Sequence, residues 1–103
     1  LNTINNGVDI ITNRGTKAHA VFKGKVVAVI VLPGGKNAVL MQHGSYFTMY
    51  SNLSSVYVAK GDELEIQEDI GKIKTDENGK TELHFEIWKG NSKQNPSLWI
   101  SKK

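Results

Sequence analysis

Glu82-Leu83-His84-Phe85-Glu86 is the stretch on which the reading of this chain turns. Side chains alternate along a strand, so Leu83, Phe85 and Ile87 fall on one face and Glu82, His84 and Glu86 on the other. The first face is apolar and belongs to a core. The second places a histidine between two carboxylates, an arrangement suited to metal or acid–base chemistry. A strand is therefore expected over 81–89.

Working outward, strand signals dominate. Val8–Thr12 is short and rich in β-branched residues, and Gly24–Leu32 (GKVVAVIVL) is dense in valine and bounded by the turn Pro33-Gly34-Gly35. Residues 37–43 alternate Ala38, Leu40 and Gln42 against Val39, Met41 and His43, and 46–50 follows after Gly44-Ser45 as the second arm of a hairpin. Val56 to Val58, 63–67 and 69–74 supply further short strands. Asp76-Glu77-Asn78-Gly79 is a polar loop with an Asn-Gly turn signal. Asn95-Pro96 through Trp99 is expected to be a turn that packs Trp99 on the body. No segment carries a helical period over three turns. Many short strands with turns every 8 to 12 residues predict an all-β, antiparallel, sandwich- or barrel-like domain.

Composition bounds the function classes. A chain of 103 residues fits one domain, 1–103 with its core about 5–99, and begins abruptly enough at Leu1 to be part of a longer protein. It is long enough to bury roughly two-thirds of its unfolded surface. The formal net charge of +3 comes from scattered basic residues without an aromatic stripe, so no nucleic-acid partner is expected. The absence of cysteine excludes disulfides and thiolate metal sites. No apolar run approaches the roughly 18 residues that suggest a membrane span, and no signal-peptide pattern is read in residues 1–103.

The ordered motifs resemble those of the LytM/lysostaphin-type zinc endopeptidases, which cut peptidoglycan peptides. Asn5-Asn6-Gly7-Val8-Asp9 is similar to that family's His-x-Gly-x-Asp motif, and Gln42-His43-Gly44 to its His-Gly hairpin. Tyr50-Ser51-Asn52-Leu53 is similar to Tyr-x-His-Leu, and Val58-Ala59-Lys60-Gly61-Asp62 through Ile70-Gly71 to Val-x-x-Gly-Asp…Ile-Gly. Glu82-Leu83-His84-Phe85-Glu86 is similar to His-Leu-His-Phe-Glu. The hairpin alone also occurs in lipoyl and biotinyl carriers, but Lys80 lacks their local context. The resemblance implies the compact antiparallel duplicated-hybrid-motif fold, with a groove whose floor holds the site.

In that family zinc is held by the histidine and aspartate of the first motif and by the second histidine of the late motif. Two further histidines assist catalysis. Here the family's histidines are replaced at Asn5, Asn52 and Glu82, and only Asp9 and His84 remain of the ligands. A catalytic zinc takes three protein ligands and keeps one position for water, and an amide is a poor substitute for imidazole. If a metal is bound at all, Asp9, His84 and Glu82 would hold it. Losing positioned acid–base groups removes roughly 10²- to 10⁴-fold in rate. The expectation is therefore no catalytic residues, no cofactor, and a metal-free network in which Asn5, Asn52 and His84 satisfy the carboxylates. His84 bridges Asp9 and Glu82 in that network, with its pKa raised.

Such a chain resembles the degenerate LytM domains of EnvC- and NlpD-type murein hydrolase activators. The resemblance implies a periplasmic or cell-envelope protein that binds the regulatory segment of an N-acetylmuramoyl-L-alanine amidase, or peptidoglycan, and promotes wall cleavage at division. The partner groove is expected to comprise Asn5, Asp9, Tyr50, Asn52, Glu82, His84 and Glu86, and its carboxylates to favour a lysine- or arginine-bearing partner. The alternatives are a zinc endopeptidase with an altered site and a plain peptidoglycan-binding module. His43 and His19 read as structural or rim residues, and Asp62 as a turn cap.

Overall fold

The computed structural model describes residues 7–89 and the backbone of 92–94. Asn5, Asn95, Pro96 and Trp99 lie outside them. Nine antiparallel strands form among the described residues: β1 (Val8–Thr12), β2 (Lys17–His19), β3 (Gly24–Leu32), β4 (Lys36–His43), β5 (Tyr46–Val56), β6 (Glu63–Leu64), β7 (Asp69–Ile73), β8 (Thr81–Lys89) and β9 (Ser92–Gln94). The main sheet runs β1-β8-β5-β4-β3-β6, with β9 on β8, while β7 pairs with both β5 and β2. Strands β1, β3 and β8 have the expected bounds. β5 is longer than expected, and β6 is only two residues. β2 and β9 were not anticipated, because three residues carry too little alternation to be read.

One face of the main sheet packs against the β2–β7 limb. Val26, Val39, Met41, Tyr50, Leu53, Leu64, Phe85 and Ile87 from the sheet meet Ala18, Ala20, Ile70 and Ile73, all buried. Leu83, Phe85 and Ile87 are on this side, as the alternation predicts. Burying a side chain of this size stabilises by about 1.5–3 kcal/mol, so the register of β8 is firmly specified.

The opposite face is the one that carries chemistry. Cross-strand register aligns Asp9, His84, Ser51, Ala38 and Ile30 in one row, and Glu86, Met49, Leu40 and Ala28 in the next. β5 bends where Ser51 pairs with Ala38 and Leu53 with Asn37, leaving Asn52 as an extra residue. Asn52 has φ +71°, a left-handed conformation that asparagine tolerates better than most residues. Past this bulge β5 leaves β8 and pairs with β7. Asn37 Nδ2 donates to the Leu53 carbonyl at the same point (3.2 Å), tying the bend to β4.

Candidate functional site

Asp9 reaches His84 because Gly7 lets the chain pass tightly over β8. Gly7 has φ +120°, and a Cβ there would lie 2.6 Å from the Phe85 carbonyl oxygen and 2.7 Å from Glu86 Cγ. Asp9 is the direct cross-strand partner of His84. His84 Nδ1 lies 2.6 Å from Asp9 Oδ1, and Nε2 lies 2.8 Å from Glu86 Oε2. The second oxygen of Glu86 accepts from Trp88 Nε1 at 3.0 Å. Glu86 is the most enclosed member, with a side chain only 12% exposed, against 33% for His84 and 55% for Asp9.

Ionised carboxylates can only accept, and a neutral imidazole has one N–H to give. The doubly protonated ring satisfies both. Partial burial alone would push the His84 pKa down. The hydrogen bonds and negative charges of Asp9 and Glu86 outweigh it and raise the pKa above its ordinary value.

The bridging carboxylate is Glu86, however, and not Glu82 as the sequence suggested. Glu82 turns away to Lys80 (Nζ–Oε2 3.7 Å). Nor does Asn52 serve a carboxylate: its Nδ2 donates to the main-chain oxygen of Glu82 at 2.6 Å. That bond takes up the Glu82 carbonyl where β5 departs from β8.

Tyr50 corrects a further expectation. It is fully buried on the core face, two residues from Thr48 and away from the groove. The alternation along β5 sends Met49 and Ser51 to the groove and Tyr50 inward. Burial pushes its phenol pKa up. Its oxygen accepts from the Val21 N–H (3.2 Å) and lies 3.0 Å from Thr48 Oγ1. Thr48 Oγ1 is 2.7 Å from His43 Nε2, and His43 Nδ1 donates to the Lys23 carbonyl (2.8 Å). His43 is thus bound into a structural chain of polar groups. His19 sits on β2 beside Asp69 (3.0 Å), and Asp62 caps its turn by accepting from the Ala59 N–H (2.9 Å).

A groove of about 470 Å³ opens between the Asp9–His84 pair and the ends of β3, β4 and β7. Ser51, Asn52, Glu82 and His84 line it, together with residues the motifs did not indicate: Leu32, Lys36, Lys74, Asp76 and Lys80. Asn37, Leu53 and Ile73 are successive cross-strand partners, and this adjacency brings Lys36 and Lys74, remote in sequence, to the same rim. Each lysine lies beside a turn. Position next to a glycine-rich turn was the available signal, but it does not reveal which turns converge.

Among the described residues the donor set does not fit zinc. Both ring nitrogens of His84 are engaged by carboxylates, Asp9 at 2.6 Å and Glu86 at 2.8 Å. Glu82 is drawn toward Lys80, and Asn52 offers an amide already committed to the backbone. Among the described residues no group of three histidine, cysteine or acidic side chains is disposed to hold a metal ion.

The all-β sheet, its groove and the placement of Asp9 beside His84 define a LytM-type domain. The chain belongs to Peptidase family M23, whose sequence model matches residues 3–96. Lysostaphin from Staphylococcus simulans superposes with a TM-score of 0.80 at 26% identity, covering 93% of this chain and 42% of that one. A zinc containing peptidase from Vibrio cholerae gives 0.75 at 29%, covering 86% and 28%. In sequence, the chain is 33% identical to Outer membrane antigenic lipoprotein B of Haemophilus influenzae over 91 residues, which is 85% of this chain and 22% of that protein. It is 32% identical over 85 residues to the lipoprotein YgeR of Escherichia coli, 81% of this chain and 34% of that one. The chain thus spans about a fifth to a third of the length of these two curated relatives.

Proposed function

We propose that this chain is a non-catalytic M23 domain that binds and activates a cell-wall amidase, promoting peptidoglycan hydrolysis in the bacterial envelope at division. What carries the reading is the state of His84. The one zinc-binding histidine left from the family's motifs is held by carboxylates on both ring nitrogens. An M23 domain without a hydrolytic ion keeps its groove, and an open groove with polar and apolar walls is a peptide-binding surface. The family relation to cell-wall hydrolases supports the pathway. The lipoprotein names of the sequence relatives support an envelope location. The amidase, specifically its regulatory segment, is the partner in this proposal.

The test is dye release from labelled sacculi, using purified amidases with and without the 103-residue chain, alongside zinc analysis of protein prepared without chelator. The expected result is no release by the chain alone, less than stoichiometric zinc, and stimulation of an amidase. One zinc per chain together with release in the absence of amidase would overturn the proposal in favour of an altered endopeptidase. Binding to sacculi with no amidase stimulated would leave a plain peptidoglycan-binding module in its place.

A further inference from the structure

The groove is basic where it is free to be, although its motif residues are acidic. Three carboxylates line it, and all are engaged. Asp9 is held by His84, and Glu82 pairs with Lys80. Asp76 Oδ1 accepts from the Asn78 and Lys80 N–H groups, both at 2.9 Å. Of the three lysines, Lys36 and Lys74 form no ion pair among the described residues. They stand together because their neighbours Asn37 and Ile73 both pair with Leu53 of β5. Leu32 lines the groove beside them, and the same sheet face continues from it as an apolar floor of Ile30, Leu40 and Met49, all partly exposed.

From this juxtaposition we infer that the groove takes an acidic, amphipathic protein segment. Its apolar side chains lie on the Ile30–Leu40–Met49 floor, and its carboxylates meet Lys36 and Lys74. This reverses the basic partner that the motif carboxylates alone suggested. Lys36 is the cation at the rim with no carboxylate partner among the described residues, and Lys74, though in no ion pair, shares its charge with Asp76; together they set the sign of the potential an incoming chain meets there. The partly exposed floor gives the affinity, since apolar area removed from water drives association. The inference rests on the groove being a partner site, as in the proposed function, and it specifies the chemistry of the occupant.

Two synthetic peptides of roughly 18 residues test it, long enough to populate a helix when bound. Both carry the same leucine stripe at helical spacing, and they differ in having glutamate or lysine on the flanks. Fluorescence anisotropy with the 103-residue chain at low salt is expected to show the glutamate peptide bound about tenfold more tightly, the sum expected of two solvent-exposed ion pairs. The preference should shrink as salt rises. It should reverse in the double variant Lys36→Glu/Lys74→Glu, where Lys36 is exposed and Lys74 half-buried, with an unchanged circular dichroism spectrum as the check that the fold is kept. Amide shifts should map to Ile30, Ala38 and Met49. Equal binding, tighter binding of the lysine peptide, shifts confined to the opposite face, or no binding of either peptide would each overturn the inference. If the chain stimulates an amidase but shows no glutamate preference, the activator reading survives and this one fails. Selective capture of the glutamate peptide by a chain that stimulates no amidase gives the converse.

Discussion

Tyr50→Phe separates a core tyrosine from a groove tyrosine. The ring packs 5.4 Å from Phe85, centroid to centroid, and phenylalanine keeps that contact and the volume. Only the hydroxyl is lost. Thr48 retains its contact with His43, so the main consequence falls on the Val21 N–H, which loses the phenolic acceptor. A hydrogen bond contributes about 0.5–1.5 kcal/mol net, and a donor left dry costs about 1–3 kcal/mol. A destabilisation of about 2 kcal/mol is expected, equivalent to a Tm lower by roughly 8–16 °C for a domain of this size. Urea unfolding followed by tryptophan fluorescence should show a lower midpoint with unchanged slope. Peptide binding well below the Tm should be unaltered. An unchanged midpoint combined with lost groove binding would refute the reasoning, because it would put the hydroxyl in contact with the partner.

Two further outcomes concern the site. His84 should titrate above its ordinary value near 6.5 in an NMR experiment, and Glu86→Gln should bring it down. The folded state holds the His84 proton more tightly than the unfolded chain does, so the stabilisation is complete below about pH 6.5. It is lost as pH rises through the folded pKa. Stability that rises with pH across that window in the wild type but not in His84→Gln would contradict this. Asn52→Ala should cost about 2 kcal/mol in chemical denaturation, combining left-handed strain with loss of the bond to the Glu82 carbonyl. Asn52→Gly should cost less, because only the bond is lost. Equal costs would show that the backbone conformation is not what asparagine serves.

Much of the architecture was legible because burial enforces alternation. Strand β8 could be read residue by residue: an apolar face of Leu83, Phe85 and Ile87 admits only one register. The same rule applied to β5 would have placed Tyr50 in the core, since Thr48 and Tyr50 share a face and Met49 and Ser51 the other. Position within the Tyr-x-His-Leu motif drew it to the groove instead. Glu82 and Glu86 are equivalent by alternation, each two residues from His84. What distinguishes them lies outside the local sequence: Trp88 holds one oxygen of Glu86, and Lys80 draws Glu82 away. The lysine rim depended on strand order, which joins positions 36 and 74 only through pairings of β4 with β5 and of β5 with β7. No local pattern encodes such a meeting.

Asp9 and His84 come from the first and eighth strands, 75 positions apart. During synthesis on a ribosome, this half of the cleft has no existence until nearly the whole domain has emerged. A truncated or nicked chain would forfeit recognition along with its shape. Under the proposed function, partner capture would therefore also report on completed folding.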